Sequence, residues 1–246
     1  ATTVVIGVKN DKTHGYNAGE IYIFYIDYEN KSYSELLRLA PPSNITNFGY
    51  SVAMTPDTRK LVIGTVKTLS STYGIDTLIE AFAFVVRRYP SPNQLVLEIT
   101  GCGSELDSLR TLALKLDVEK QVLFHGAVSH ESVPKLLNRL DIYVALSRLE
   151  SFGVAILEAS ACERPVVVSD AEGCAEVTID GETGFVVPRD NPQAAADAIL
   201  KLINDKALRL QMGQAGRLNV LEHYTWDRSL DLMMEAYTKV INLQNS

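Results

Sequence analysis

Residues 142–161 read IYVALSRLESFGVAILEASA, and this stretch decides the fold because it joins two different hydrophobic patterns. The first part, Ile142 to Leu146, is a continuous apolar run and predicts a buried strand. Ala155 to Cys162 predicts a helix, which Pro165 stops. Between them lies a polar loop that leads to a helix N-terminus, where backbone N–H groups lack internal partners. Strand, loop and helix together predict a site for an anion such as phosphate.

Two glutamates, Glu150 and Glu158, lie eight positions apart in this stretch. We expect Glu150 in the loop and Glu158 in the second turn of the helix, roughly 12 Å further along at about 1.5 Å per residue. An acid and a nucleophile that cleave a glycosidic bond face each other across about 5 to 9.5 Å, so this spacing argues against such a pair. Two carboxylates at different depths of one crevice instead suit hydroxyl groups on two parts of a long ligand. The alternative is that both are solvated surface glutamates.

The same alternation of patterns begins at about residue 61 and continues along the chain. Short apolar runs rich in Val and Ile predict strands at Leu61 to Val66, Gln94 to Thr100, Gln121 to Phe124, Ile142 to Leu146, Pro165 to Ser169 and Gly184 to Val187. Helical patterns lie at Thr77 to Tyr89, Ser104 to Leu116, Glu131 to Arg139, Ala155 to Cys162 and Gln193 to Asn204. Strands that alternate with helices predict an α/β fold with a doubly wound parallel sheet. Ligands bind beyond the carboxyl ends of such strands, so the loops there form the candidate site.

A series of motifs accompanies these elements in a fixed order. It comprises Ile63 to Val66, Gly74 to Phe82, Gly101 to Gly103, Val122 to Gly126, Glu150 to Glu158, Pro165 to Ser169 and Gly181 to Pro188. With these motifs, residues 61–246 resemble the C-terminal, donor-binding domain of a family 4 (group 1) glycosyltransferase with the GT-B fold. The resemblance implies a Rossmann-like domain that binds a nucleotide-diphosphate sugar for retaining glycosyl transfer. It also implies that no metal or other cofactor is needed, since protein cations and a helix N-terminus stabilise the phosphate charge.

The resemblance further implies roles for the residues around the two glutamates. Glu150, the candidate catalytic residue, contacts the hydroxyl groups of the donor sugar, and Glu158 contacts those of the ribose. Ser151 and the backbone N–H groups of Phe152 and Gly153 bind the sugar or the diphosphate. Each of these assignments is an expectation from the family motif.

Two further loops at the carboxyl edge supply candidate donor-binding residues. Gly101 and Gly103 follow the second predicted strand, where small residues let a ligand or a neighbouring backbone approach closely. Ser104 is expected to cap the next helix. His125 and Gly126 follow the third strand, where the family reads the nucleotide base partly through backbone groups. The alternatives are structural, because Gly-x-Gly also occurs as an ordinary turn and a histidine without a paired carboxylate is weak evidence for proton transfer.

The chain departs from the family where the donor diphosphate is neutralised. The Arg and Lys that usually follow the first strand are replaced by Thr68 and Tyr73, which leaves Lys67 as the cation of that loop. We expect Lys67 and Arg148 to balance the phosphate charge; otherwise donor binding is weakened. The alternative for Arg148 is a surface ion pair with a nearby acid. A second departure is Glu172, which stands where the sugar-facing loop usually has a second glycine.

Composition argues against several other functions. The chain has 246 residues, 46% of them hydrophobic, and a net charge of −7, so there is no overall electrostatic case for nucleic acid or an anionic membrane surface. No apolar run approaches the ~18 residues of a transmembrane segment, and no signal-peptide pattern is recognised. Cys102, Cys162 and Cys174 are scattered, which predicts reduced thiols and a cytoplasmic location rather than a disulfide framework or a metal site.

Residues 1–60 follow another pattern. Short aromatic and β-branched runs separated by turn residues predict an antiparallel β-meander. The segment resembles one blade of an FG-GAP β-propeller, with Phe48-Gly49 as the characteristic pair. Leu61 to Gly64 is either the last strand of this blade or the first strand of the next domain. Lys9 to Gly15 lacks the acidic spacing of a calcium loop, so no calcium is expected there.

The glycosyltransferase resemblance covers the donor half alone, so we expect the acceptor on an N-terminal domain or a partner chain. Such a chain is a fragment, a hybrid or one half of a two-chain enzyme. The second functional hypothesis is a non-catalytic nucleotide-sugar-binding or scaffold protein that lacks the acceptor domain. A sugar-nucleotide epimerase of the related fold agrees less well, because the run from Glu150 to Gly153 is closer to transferases.

Overall fold

The computed structural model describes residues 2–8, 20–27, 32–39 and 60–244 of the chain. By its internal contacts the chain divides into two compact units, Ala1–Arg59 and Lys60–Ser246.

In the first unit, three strands pair antiparallel in the order β1-β2-β3. They are β1 (Thr2–Val8), β2 (Glu20–Asp27) and β3 (Ser32–Leu39). Phe48 and Gly49, which carry the FG-GAP resemblance, lie outside the described residues, as does the loop from Lys9 to Gly15. The FG-GAP resemblance therefore stays a prediction.

The second unit is built on a six-stranded parallel sheet with the strand order β6-β5-β4-β7-β8-β9. Its strands are β4 (Leu61–Val66), β5 (Leu95–Thr100), β6 (Val122–Gly126), β7 (Ile142–Ala145), β8 (Val166–Ser169) and β9 (Gly184–Val187). Every pairing within this sheet is parallel, which confirms the predicted α/β architecture. The segment from Leu61 to Gly64 belongs to a central strand of this sheet, paired with β5 and β7.

Helices connect these strands and cover the sheet. They are α1 (Ile75–Arg88), α2 (Leu106–Lys115), α3 (Val133–Leu137), α4 (Val154–Ala161), α5 (Glu172–Glu176), α6 (Pro192–Asn204), α7 (Lys206–His223) and α8 (Trp226–Gln244). The third helix is shorter than predicted and follows a 3₁₀ turn, His130–Ser132. Pro134 explains this start, because a proline fits the first turn of a helix and disrupts the interior.

The predicted cap at Ser104 is wrong. Helix α2 begins at Leu106, and Glu105 precedes it. The Glu105 N–H donates to the Leu69 carbonyl oxygen at 3.1 Å, which joins the residue before α2 to the loop after β4. No side chain caps the start of α2, and a distant carbonyl oxygen satisfies this N–H group.

Both faces of the central strand β7 are buried. In β7, Ile142 and Val144 belong to one hydrophobic cluster, while Tyr143 and Ala145 belong to a second cluster on the opposite face. All four side chains are at most 2% exposed. This double burial explains why the strands read as continuous apolar runs instead of alternating ones.

The strand order places a topological switch point between β4 and β7. The chain runs outward from β4 through β5 to β6, then returns to β7 on the other side of β4 and continues to β9. At such a point the loops at the carboxyl ends of the two adjacent strands diverge and leave a crevice. Here these are the loop after Val66 and the loop after Ala145.

Candidate functional site

An ion pair between Lys67 and Glu150 joins the two loops at the switch point. The Lys67 Nζ atom donates a hydrogen bond to the Glu150 carboxylate, and each side chain is only 10% exposed. Lys67 directly follows β4, and Glu150 lies in the loop between β7 and α4. The structure therefore brings together the lysine predicted to neutralise phosphate and the glutamate predicted to be catalytic.

Tyr73 holds the same ammonium group from another side. The Lys67 Nζ lies 4.8 Å from the centre of the Tyr73 ring, within the range of a cation–π contact. Tyr73 occupies the position at which the family usually has a lysine. The Tyr73 ring therefore stabilises the ammonium group that the same loop carries.

Glu150 is held as a carboxylate. Burial by itself raises the pKa of this group, but the Lys67 ammonium and the backbone N–H groups of Gly153 and Ser151 outweigh burial, and the pKa is lowered from its ordinary value of 4.5. The side chain of Glu150 thus occupies the partly positive region before α4 where sequence predicted an anion. An ionised carboxylate accepts hydrogen bonds and cannot donate a proton, which agrees with a partner for hydroxyl groups.

The loop that carries Glu150 depends on two glycines. Gly153 has a φ of +83°, which strains other residues, and a Cβ there would lie 2.7 Å from the Gly173 carbonyl oxygen. A Cβ at Gly173 would lie 2.5 Å from the Phe152 nitrogen, and the Gly173 N–H donates to the Glu150 carbonyl oxygen at 3.1 Å. Glu172, which replaces a usual glycine, is exposed at the start of α5. The close backbone approach is therefore made by Gly173 and does not involve the Glu172 side chain.

Gly101 and Gly103 pack against the loop that contains Lys67. A Cβ at Gly101 would lie 1.8 Å from the Lys67 carbonyl oxygen, and one at Gly103 would lie 2.1 Å from that of Leu69. The Leu69 N–H also donates to the Cys102 carbonyl oxygen at 2.9 Å. Of the two interpretations given for small residues here, the structure displays the close approach of a neighbouring backbone. Gly101 therefore packs directly against Lys67, and Gly103 packs against Leu69 in the same loop.

Arg148 is hydrogen-bonded through its side chain to neighbouring residues, two of which are acidic. Its guanidinium donates two hydrogen bonds to Asp76, at 3.0 and 2.8 Å, and its Nε donates to Asp190 at 2.7 Å. The remaining N–H groups reach the Ser71 carbonyl oxygen and, at 3.3 Å, the Thr77 hydroxyl. Burial raises the pKa of Asp76, but the contacts with Arg148 outweigh it and leave this pKa lowered. The geometry favours the ion-pair alternative, in which Arg148 ties the loop after β7 to the start of α1.

Glu158 lies in the second turn of α4 and is 31% exposed. Its Oε1 atom lies 4.0 Å from His130 Nδ1, in the segment that follows β6. The two predicted carboxylates are therefore placed differently. Glu150 is enclosed beside a lysine, and Glu158 faces the β6–α3 connection with free acceptor capacity on an accessible side chain.

Sequence reasoning missed a buried carboxylate, Glu98, in the middle of β5. Its side chain is 7% exposed; Oε1 accepts a hydrogen bond from Arg139 at 2.7 Å, and Oε2 lies 3.3 Å from His125 Nε2. The prediction treated His125 as a histidine without a paired carboxylate, whereas the fold supplies one. The signal was a charged residue within the apolar run Leu95 to Thr100, since buried charges are rare unless paired.

The cysteines, the possible metal ligands and the helices concern the functions that the composition argues against. Cys102 is exposed, Cys162 half-buried and Cys174 buried, all as free thiols. In the described part of the chain, no three His, Cys, Asp or Glu side chains lie together as metal ligands. None of the helices among residues 60–244 is long and apolar enough to cross a membrane. The cytoplasmic location stays a prediction.

Comparison with known proteins places this geometry in a family. Residues 52–219 match the family described as glycosyl transferases group 1. The D-inositol 3-phosphate glycosyltransferase of Corynebacterium jeikeium is 32% identical over 187 residues, which are 74% of this chain and 44% of that enzyme. The chain thus spans less than half the length of the first curated relatives that it matches.

Solved structures share the fold of the second unit. TarM from Staphylococcus aureus, in a variant crystallised with UDP, fondaparinux and α-GlcNAc-glycerol, has a TM-score of 0.65 and 29% identity over 77% of this chain and 36% of TarM. The C-terminal domain of LpcC, a group 1 glycosyl transferase from Francisella tularensis, has a TM-score of 0.63 and 29% identity over 68% of this chain and 88% of that domain. The parallel sheet is that of a Rossmann-like GT-B domain. The chain therefore belongs to the group 1 glycosyl transferases.

Proposed function

We propose that residues 60–244 bind a nucleotide-diphosphate sugar and form the donor half of a retaining glycosyltransferase. The observation that carries this proposal is the enclosed pair of Lys67 and Glu150 at the switch point of the sheet. A donor of this class offers a suitable partner to each member. Its diphosphate suits the ammonium group, and its sugar hydroxyls suit the carboxylate.

On donor binding, the contact between Lys67 and Glu150 would be replaced by one contact with the diphosphate and one with the sugar. In the structure, Lys67 and Glu150 satisfy each other, which avoids the cost of an enclosed charge without a partner. When a diphosphate arrives, Lys67 gains a charge-assisted contact with a phosphate oxygen, and the Glu150 carboxylate becomes available to sugar hydroxyls. Glu150 is in this way both the resting partner of Lys67 and the proposed catalytic residue that contacts the donor sugar.

The remaining roles follow from the placement of the other residues. Glu158 accepts hydrogen bonds from the ribose hydroxyls, since its carboxylate is accessible and lies beside the β6–α3 connection. Ser151 and the N–H groups of Phe152 and Gly153 bind the sugar or the diphosphate once Glu150 has turned to the donor. Phosphate neutralisation rests on Lys67, because the N–H groups of Arg148 are already engaged.

The comparisons support a nucleotide sugar as the ligand. TarM, at 29% identity, was crystallised with UDP, and the Corynebacterium relative is named a glycosyltransferase. We propose that the acceptor is bound by another domain or by a partner chain, because the relatives are more than twice as long as the matched region. No metal takes part in this scheme, since the lysine and the α4 N-terminus stabilise the phosphate charge.

Isothermal titration calorimetry of the full chain with UDP, GDP and ADP tests the proposal. We expect one of these nucleotides to bind and Lys67→Met to weaken it by about tenfold or more, as expected for the loss of a charge-assisted contact. Lys120→Met is the matched control, because Lys120 is exposed on a different surface. If no nucleotide binds, or if both variants bind as tightly as the wild type, the proposal is wrong.

A second candidate is a nucleotide-sugar-binding protein without turnover. Two observations favour it. Thr68 is uncharged, and Arg148 is paired with acidic side chains. Lys67 would therefore neutralise by itself the phosphate charge that two cations usually share. Donor hydrolysis and glycosyl-transfer assays distinguish the two. Turnover that Glu150→Gln abolishes excludes the non-catalytic version, whereas nucleotide-sugar binding without turnover favours it.

A further inference from the structure

The Glu98 carboxylate links two elements beside the site. It projects from the interior of β5 and is 7% exposed, with one oxygen 2.7 Å from Arg139 Nη2 and the other 3.3 Å from His125 Nε2. Burial of a carboxylate is costly without such partners. One oxygen accepts a hydrogen bond from Arg139, and the other lies within ion-pair distance of the His125 ring, so this carboxylate contacts both side chains.

A β-bulge sets the direction of the same histidine. Ile99 pairs with Phe124 and Thr100 pairs with Gly126, so His125 is an extra residue on β6. Bulges turn a side chain away from the regular alternation of a strand and are common near active sites. The bulge and the contact with Glu98 are independent features, and both constrain the His125 side chain, which remains 29% exposed.

His125 lies at the start of the segment that approaches Glu158. The Gly126 carbonyl oxygen accepts a hydrogen bond from Gly101 N–H at 2.9 Å, which fixes the end of β6 against the loop after β5. Further along, His130 Nδ1 lies 4.0 Å from Glu158 Oε1. The next step rests on the proposed function: if Glu158 binds the ribose, the attached base lies close to the segment from His125 to His130.

We propose that Glu98 is a positioning residue that sets the tautomer of His125, and that His125 recognises an N–H group of the nucleobase through Nδ1. Neither ring nitrogen of His125 makes a hydrogen bond within residues 60–244, and Nε2 lies 3.3 Å from the Glu98 carboxylate. A carboxylate has no proton to donate, so its approach disfavours a lone pair on Nε2 and favours the neutral tautomer with Nε2–H, which leaves Nδ1 as the acceptor. The ligand class is a base that presents an N–H donor on its edge.

Glu98→Gln provides a sharp test, because Arg139 fixes the orientation of the new amide. Arg139 is a donor only, so the amide oxygen turns towards Arg139 and the amide NH₂ turns towards His125. Nε2 then becomes the acceptor and the proton moves to Nδ1. The Nδ1–H group would then face the N–H group of the base, and two donors cannot form a hydrogen bond. Long-range ¹H–¹⁵N NMR at mildly alkaline pH distinguishes the two neutral tautomers and the imidazolium. We expect Nε2–H in the wild type and Nδ1–H in Glu98→Gln.

Calorimetry with UDP, GDP and ADP supplies the functional readout. For the nucleotide that binds the wild type, we expect Glu98→Gln and His125→Leu each to weaken binding roughly tenfold, the effect of one hydrogen bond. His125→Asn keeps an acceptor close to Nδ1 and should recover most of the affinity, with or without Glu98→Gln. Glu131→Gln, which removes an exposed carboxylate from the same segment, is the matched control and should bind like the wild type.

The outcomes separate this inference from the proposed function. An Nδ1–H tautomer or an imidazolium in the wild type overturns the inference, whatever binds. Nucleotide binding that Glu98→Gln and His125→Leu leave unchanged also overturns it, while the proposed function stands. If none of the three nucleotides binds the wild type, the proposed function fails and the role of His125 in base recognition fails with it.

Discussion

Gly101 lies directly against Lys67: a Cβ at position 101 would come within 1.8 Å of the Lys67 carbonyl oxygen. Gly101 also has a φ of +144°, which other residues rarely adopt. The Lys67 N–H donates to the Thr100 carbonyl oxygen at 2.9 Å, so the two loops are held together at this point. The position of the only charged side chain in the loop after β4 thus depends on a glycine in the loop after β5.

Gly101→Ala should therefore affect both stability and nucleotide binding. We expect the free energy of unfolding to fall by about 3 kcal/mol or more, since the backbone of one loop must move. Gly181→Ala is the matched control, because Gly181 has a φ of +78° but nothing within 4 Å of an added Cβ; it should cost about 1 to 2 kcal/mol. Urea denaturation measures both values. Equal losses would show that the contact with Lys67 is unimportant.

Glu150 should contribute stability that is lost in acid. Its pKa in the folded chain is lowered from 4.5, because Lys67 and two backbone N–H groups outweigh burial. A lowered folded pKa means that the contribution is complete above the unfolded pKa and disappears as the pH falls through the folded pKa. Protonation makes the wild type resemble Glu150→Gln, so we expect the gap in unfolding free energy between them to be greatest near neutral pH and to close as the pH falls from 4.5 through the lowered folded pKa.

Urea titrations at several pH values measure this gap. Glu119→Gln, a change at an exposed glutamate, serves as the control, and its difference from the wild type should vary little with pH. A Glu150→Gln gap that stays constant or widens in acid would contradict the assignment of an ionised, stabilising carboxylate.

Arg148→Met should separate a structural role from phosphate binding. The loss of the hydrogen bonds to Asp76 and Asp190 should lower the free energy of unfolding by about 1 to 2 kcal/mol. Arg148→Lys should behave similarly, because an ammonium group cannot reproduce the bidentate contact with Asp76. Nucleotide affinity, measured by calorimetry, should change less than about threefold, a small effect in free energy. An affinity loss as large as that of Lys67→Met would instead make Arg148 a phosphate ligand.

Glu158→Gln should reduce discrimination between ribose and deoxyribose. A carboxylate accepts hydrogen bonds from both ribose hydroxyls, and its replacement by an amide weakens these contacts. We expect the wild type to bind the ribonucleotide about tenfold more tightly than its 2′-deoxy form, and Glu158→Gln to reduce that ratio to about two- to threefold. Calorimetry with both forms checks this. Equal ratios in the two proteins would remove Glu158 from the ribose site.

Much of the fold was predictable because burial leaves a local trace in sequence. Strand β7 is covered on both faces, so its residues form an apolar run, and α4 follows it after a loop that contains Gly153. The start of α2 was not predictable in this way. Ser104 is a residue type that often caps helices, but α2 begins two residues later, and the residue before it is bonded to the distant Leu69 carbonyl oxygen.

The candidate site was likewise predictable from local sequence only in part. Local pattern was enough to mark Glu150 and Glu158 as carboxylates at a loop and a helix near a sheet edge, since only their immediate neighbours define those places. The cation that is available to bind phosphate is decided by contacts between residues far apart in sequence. Lys67 and Glu150 are 83 positions apart, and Arg148 and Asp76 are 72 positions apart. Periodicity reports whether a residue is buried. The folded sheet alone decides which charge lies beside it, because parallel strands join distant segments at one edge.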